Sequence, residues 1–388
     1  MKILVVCQYY YPEPFRHPDI CEELVKRGHE VTVVTGLPNY PMGEIYEGYR
    51  NGKKRDEVRN GVKIHRCFTI GRRHGALFRF LNYYSYAFSS ARYVKQLSGE
   101  FDVVFVNQLS PVMMANAAFA YKKRYGTKVV LYCLDLWPES LVAGGIKRGS
   151  LIYKIFYNIS KKIYKQADKI LITSRMFSDY FKNEFGITCT EYLPQYSETV
   201  FTPDICKKRA FDTVDLMFAG NIGEAQSIDT IIKAAKLTGD ISCLRWHIVG
   251  DGSELENAKR MAEGLDNVIF HGRKPLQEMP EYYAMADAML VTMKKDPMLS
   301  MTLPGKVQTY MAAGKPIIGA IDGETALILK DAGCGICGAA EDETELAENV
   351  RKFMNMDKSE LGKNARAYYE KHFNKNIFIE KTEQILSN

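Results

Sequence analysis

The chain has 388 residues, 46% apolar, 25% charged and 12% aromatic, with a net charge of +6. That balance excludes wholesale disorder and fibrous repeats, and the length predicts two domains. Nine cysteines, odd in number and unpatterned in spacing, argue against a secreted disulfide framework.

The first apolar run, Ile3 to Cys7, is too short for the core of a signal peptide. No stretch of about 18 apolar residues predicts a spanning helix. The chain therefore reads as cytoplasmic. Ile3–Val6 is a buried strand, followed by the loop YYYPEP. Asp19–Arg27 is a helix closed by Gly28, and Val31–Thr35 is the next strand. That β-α-β unit predicts parallel strands and a right-handed crossover. Val103–Val106, Lys128–Tyr132 and Lys169–Thr173 are further strands. Residues 192–203 have no periodicity and read as a crossing between domains, placed at 196/197.

The pattern then restarts. Val214–Phe218 is a strand ending in G-N-I-G, with a helix through Thr230–Leu237. Leu244–Val249, Val268–His271, Met289–Thr292 and Ile317–Gly319 are strands, and Lys306–Ala313 is a helix. Two α/β units of similar size result. Ligands of open α/β sheets sit at the C-terminal ends of strands, so the natural site is a cleft between the units. Cys334 and Cys337 form a lone C-x-x-C without the second ligand pair of a zinc site, and read as buried thiols. His29, after the helix-closing Gly28, reads as structural.

Charge is uneven. Residues 1–200 carry 29 Lys and Arg against 18 Asp and Glu, a net +11; residues 201–388 carry 23 against 28, a net −5. A basic half predicts an anionic partner, either nucleic acid or an anionic membrane leaflet. The basic residues concentrate in two helical stretches rich in aromatics, Arg72 to Leu97 and Lys147 to Lys169. In the second, Ile152, Ile155, Phe156, Ile159 and Ile163 recur at helical spacing among lysines. Such a helix suits a membrane interface, its lysines snorkelling to phosphates. It equally suits a core-facing helix with a solvated face.

Five motifs carry candidate chemistry, four of them at strand ends and one before a helix. Gly220, Asn221, Ile222 and Gly223 let a backbone approach a ligand and precede a helix N-terminus, as a phosphate requires; a plain tight turn is the alternative. Thr302, Leu303, Pro304, Gly305 and Lys306 repeat the device, with an ammonium beside the free N–H groups. Gly250, Asp251 and Gly252 follow one strand. His271 to Leu276 follows another, where backbone groups would read a base edge and Arg273 or Lys274 would meet phosphate. In the first unit, Asp135 and Glu139 flank Trp137 and Pro138. A carboxylate there orients an acceptor hydroxyl or takes its proton, or else caps a helix. No Asp-x-Asp and no histidine pair at ligand spacing predicts a metal.

Together these stretches resemble glycosyltransferases of GT-B type, family 4. The matches are YYYPEP, LVKRGHEVTVVTGLPNYP, DLWPES, AGNIG, GDGSEL and LPGKVQTYMAAGKP, spanning residues 9 to 316. TGLPNYP with DLWPES narrows the likeness to the branch of WbuB- and WcaI-like enzymes of surface-polysaccharide assembly. The resemblance implies an α/β fold of two Rossmann-like domains, residues 1–196 and 197–372, facing across a cleft. Residues 373–388 would pack back on the first domain. It implies retaining, metal-independent transfer from a nucleotide diphosphate sugar, with no cofactor. The implied acceptor is a saccharide on a polyprenyl diphosphate, so the enzyme would sit peripherally on the inner membrane face and bind no nucleic acid.

The chain departs from the family at several positions. Its two glutamates before AAGKP are Met301 and Thr309, so Thr309 or Gln308 would take the ribose. Its Arg and Lys near the GNIG turn are Asn221 and Gln226. Its glycine pair after the first strand is Phe15-Arg16, which leaves Lys306, Arg273 and Arg16 to supply positive charge. Its histidine falls at Leu134, which makes adjacent Asp135 the expected group at the acceptor hydroxyl. Two other readings remain: an epimerase acting on a nucleotide sugar, and a non-catalytic binding module.

Overall fold

The computed structural model describes residues 1–143, 145–207 and 212–388. Met1–Thr173, Ser178–Leu193 and Ile379–Asn388 form one compact unit; Ser174–Phe177 and Pro194–Phe378 form the other. The divisions fall at 193/194 and 378/379, where the sequence reading set 196/197 and 372/373. Tyr196 belongs to the second unit, where its ring packs on Phe378, centroids 5.0 Å apart.

Among the described residues, the first unit carries eight strands: β1 (Lys2–Val6), β2 (Glu30–Gly36), β3 (Asp56–Arg59), β4 (Val62–Cys67), β5 (Val103–Gln108), β6 (Lys128–Cys133), β7 (Lys169–Ile172) and β8 (Thr190–Tyr192). Their order is β3-β4-β2-β1-β5-β6-β7-β8. The apolar runs of β1, β5 and β6 are buried along nearly their whole length, as strands covered on both faces must be. One pairing departs from the expected parallel sheet. β3 and β4 form an antiparallel hairpin on the edge, with Arg59 opposite Val62. Asn60 and Gly61 between them both have positive φ, 47° and 83°, the turn that an Asn-Gly pair favours. The helix Lys375–Ser387 ends in this unit, where Glu383 accepts from Arg27 at 3.2 Å and lies 2.7 Å from His29.

The second unit carries β9 (Val214–Ala219), β10 (Leu244–Val249), β11 (Val268–Gly272), β12 (Ala288–Thr292), β13 (Ile317–Ala320) and β14 (Gly335–Gly338). All pair in parallel in the order β11-β10-β9-β12-β13-β14. Strand order reverses between β9 and β12, and beyond the C-terminal ends of those strands lies the usual ligand crevice of such a sheet. Side chains of β9 alternate: Leu216 and Phe218 enter one core, Met217 and Ala219 the other. β14 has too little apolar character to be read from sequence. A Cβ on its Gly335 would lie 1.8 Å from the Ile317 carbonyl oxygen. Cys334, just before that strand and buried, and Cys337, within it and half-buried, are free thiols.

Candidate functional site

In the second unit the helix Gly305–Ala312 starts beside the end of β9. Tyr310 fixes it there: its hydroxyl donates to the Ala219 carbonyl at 3.0 Å and accepts from the Ala219 N–H at 3.1 Å. Lys306, one turn earlier, lies on the same face. Its Nζ stands 3.6 Å from the Phe218 ring centroid, buried, with no hydrogen-bond partner among the described residues. A Cβ on Gly220 would come within 3.2 Å of that ammonium. Burial pushes the Lys306 pKa down to about 7. The N–H groups of Gly305 and Lys306 are first-turn donors, which no helix satisfies internally. An unpaired ammonium beside such donors is a site for an anion.

The GNIG loop is arranged differently from expectation. A 3-10 turn, Glu224–Gln226, separates it from the helix Ile228–Leu237. Its N–H groups are largely used inside the fold. Gly220 donates to Val249 O and Ile222 to Asp251 O, both at 2.9 Å. Gln226 Oε1 accepts from Gly223 N and Asn221 Nδ2, both at 3.1 Å. Gln226 and Asn221 thus tie the loop to itself, and Gly223 does not open the α-helix. Gly250 and Gly252 have their own reason. Added Cβ atoms would lie 1.8 Å from Gly220 O and 2.2 Å from Ile222 O, so these glycines let the β10 loop close against the β9 loop. Asp251 accepts from Gly252 N at 2.8 Å and is otherwise exposed.

The HGRKPL loop follows β11, linked to this region by Gly250 N donating to Gly272 O at 2.9 Å. Arg273 and Leu276 are exposed, and Lys274 lies over the Tyr282 ring at 5.4 Å. Thr302 and buried Leu303 lead into Pro304, with the Thr302 hydroxyl donating to Met298 O at 3.1 Å. Thr309 turns back on its own helix, donating to Gly305 O at 3.2 Å. With the Gln308 amide oriented so that its nitrogen meets acceptors, it donates to Pro304 O and Gly305 O, at 3.0 and 3.1 Å. Both groups are engaged within the first turn of their own helix.

In the first unit, Asp135 follows β6. Its Oδ2 accepts from Ser110 N at 3.0 Å, and the Ser110 hydroxyl accepts from Trp137 Nε1 at 2.7 Å. Burial raises the Asp135 carboxyl above its ordinary range, opposed by Ser110 and by the Arg72 charge. Arg72 lies 5.6 Å from the Tyr83 ring centroid. No spacing in the sequence connected Arg72, Ser110 or Tyr83 with Asp135.

Glu139, the second carboxylate of the pair, lies deeper in the fold. It is buried, and its oxygens accept from Tyr153 OH at 2.7 Å, Tyr180 OH at 3.0 Å and Arg148 Nε at 3.0 Å. Those partners make it a tie between helices, with its oxygens engaged inside the fold. Arg16, half-buried, precedes the helix His17–Lys26, and its charge acts on the Tyr132 hydroxyl. Phe15 stacks on Tyr9 at 5.2 Å and packs on Tyr40 at 5.4 Å, filling the space after β1 with rings.

Residues 207–371 match the family described as Glycosyl transferases group 1, and residues 19–191 match Glycosyltransferase Family 4. "Probable glycosyltransferase WbjE" of Pseudomonas aeruginosa is 26% identical over 72% of each chain. WcaI of Escherichia coli (strain K12), whose name places it in colanic acid biosynthesis, is 25% identical over 97% of each. Among solved structures, Anabaena HepE in complex with UDP superposes with a TM-score of 0.73 over 100% of both chains, at 14% identity. WaaG, a glycosyltransferase involved in lipopolysaccharide biosynthesis, gives 0.69 over 100% of both, at 16% identity.

Proposed function

This chain belongs to the group 1 and family 4 glycosyltransferases with the GT-B fold, and from that membership we propose a retaining, metal-independent transfer from a nucleoside diphosphate sugar. The acceptor is a saccharide carried on a polyprenyl diphosphate, and the product enters a cell-surface polysaccharide. Relatives named for colanic acid and teichuronic acid biosynthesis support that setting. The UDP held by HepE supports the donor class.

The observation that carries the donor reading is the buried, unpartnered ammonium of Lys306 over Phe218. It neutralises charge on the departing diphosphate, an electrostatic effect already in place before reaction. The bond from the anomeric carbon to the diphosphate oxygen breaks, and the acceptor oxygen takes the same face. The acceptor proton passes to the departing phosphate. Asp135 orients the acceptor hydroxyl. Arg273 and Lys274 border the nucleotide.

The test is a panel of nucleotide sugars with a lipid-linked saccharide, with product anomer read by NMR and chelator added in parallel. Retained configuration and unchanged rate with chelator are expected. Inverted configuration, or loss of rate with chelator, refutes those parts. Met301 and Thr309 in place of two glutamates favour one rival, a non-catalytic module. Donor binding without transfer to any lipid-linked acceptor would establish it, and epimerised donor without acceptor would establish an epimerase.

Membrane docking is a separate proposal. Among the described residues no helix is long and apolar enough to cross a membrane. On the helix Leu151–Tyr164, the expected apolar stripe divides. Ile163 is buried, whereas Ile152 and Ile155 are exposed beside Leu151, which is 75% exposed. Leu77, Phe80 and Phe88 are exposed on the helix Ala76–Tyr93. Lysines and arginines interleave both sets, which suits an anionic surface. Co-sedimentation with phosphatidylglycerol vesicles should be strong at low salt and fall as salt rises. Absence at low salt would refute it.

A further inference from the structure

Two cavities adjoin in the first unit. The larger, about 640 Å³, is lined by Arg50, Arg55 and Arg73 with Phe68, Ile70 and Phe78. The smaller, about 300 Å³, is lined by Tyr40, Met42, Arg72, Arg73, His74 and Arg79. Arg73 belongs to both. Glu44 is the one carboxylate lining either cavity. It pairs with Arg50 at 3.2 Å and Arg73 at 3.5 Å, which sets these two side chains in place. The Arg55 and Arg79 guanidiniums have no carboxylate partner among the described residues. Exposed apolar side chains accompany them: Met42 lines the smaller cavity and Phe68 the larger, and Leu77 and Phe80 are exposed on the helix that carries Phe78 and Arg79.

Clustered guanidiniums that outnumber the carboxylate among them, here one Glu44 against Arg50, Arg55 and Arg73 in the larger cavity, are matched to phosphate oxygens, which they engage in two-pronged hydrogen bonds. One or two phosphates fit such cavities, and the apolar rim fits a hydrocarbon chain leaving them. Arg72 connects the cavity to Asp135, since the same charge acts on that carboxyl. Tyr40 opens it to the Tyr9 and Phe15 rings, at 6.0 and 5.4 Å. A sugar on the phosphate would meet these rings and Asp135.

We propose that the adjoining arginine-lined cavities bounded by residues 40–55 and 68–79 bind the diphosphate of a lipid-diphosphate-linked saccharide, with the first part of its chain on Phe68, Leu77 and Phe80. This rests on the acceptor class proposed above. Arg73 and Arg79 grip the diphosphate, and Arg72 faces the junction with the sugar.

The probes are farnesyl diphosphate, inorganic pyrophosphate and phosphatidylglycerol vesicles, with UDP as control, titrated against the full chain. Farnesyl diphosphate should bind at least about tenfold more tightly than pyrophosphate, because the chain adds apolar burial. Arg79→Gln, at an exposed position, should weaken it by about tenfold or more and leave UDP binding and thermal unfolding unchanged. Arg73→Gln with Arg79→Gln should weaken it further. Equal affinity in wild type and the double variant would overturn the proposal. So would loss on Lys306→Ala but not on the arginine changes, which would put the diphosphate in the donor site. Vesicle binding that falls by the same factor as farnesyl diphosphate binding would make the arginines a membrane patch and also overturn it. Failure of wild type to bind UDP would refute the donor reading alone, because the farnesyl diphosphate titration is read independently.

Discussion

Tyr310 and Ala219 are joined by two hydrogen bonds through one hydroxyl, which donates to the carbonyl at 3.0 Å and accepts from the N–H at 3.1 Å. The pair anchors the helix carrying Lys306 to the end of β9. Tyr310→Phe leaves a buried N–H without an acceptor, at a cost of about 1–3 kcal/mol. It should lower the melting temperature and weaken UDP binding together. UDP binding unchanged in a destabilised variant would detach Lys306 from this anchor.

Lys306 gives a pH signature. Burial holds its pKa to about 7 in the empty protein, against ~10.4 for an ordinary lysine. Between those values the unfolded chain binds more protons than the folded one, so stability rises as pH climbs through this window. Below pH 7 both states are protonated and the slope disappears. A bound diphosphate favours the ammonium, so UDP affinity should fall as pH rises above 7, with proton uptake on binding. Lys306→Met should abolish both effects, read by thermal unfolding and calorimetry across pH 6–10. Lys306→Ala should lower turnover by about tenfold or more.

Asp135 is expected to act on the acceptor and not on the donor. Asp135→Asn keeps an oxygen for the Ser110 N–H and removes the charge. Turnover should fall by about 10²-fold or more, with UDP affinity unchanged. A comparable loss of UDP affinity would contradict this division.

Glu139 should show the opposite behaviour. Glu139→Ala strips the acceptor from the buried Tyr153 and Tyr180 hydroxyls, at about 1–3 kcal/mol for each. The melting temperature should drop clearly, while transfer per folded molecule stays close to wild type. A catalytic loss in a protein of normal stability would restore Glu139 to the chemistry.

Much of the fold was legible because parallel strands covered on both faces need continuous apolar runs, and β1, β5, β6 and the second half of β9 have them, whereas Arg245 and His247 interrupt β10. β3 and β4 alternate on an exposed edge, so the Asn60-Gly61 turn was their only strong signal. β14 was missed because its glycines answer to the neighbouring strand. Of the site, Lys306 was legible from the Pro-Gly-Lys run before a helix. Phe218 and Tyr310, which bury and place it, were not.

The sequence alone determined two α/β repeats, a basic first half, and a lysine at a helix start near a strand end. These follow from local rules of periodicity, capping and composition. Only the tertiary structure decided which groups are spoken for. It showed Glu139 saturated, Gln226 turned onto its own loop and Thr309 turned onto its own helix, with Lys306 left unpaired. Partnering is settled by side chains that meet across the fold, and sequence spacing carries no record of those meetings.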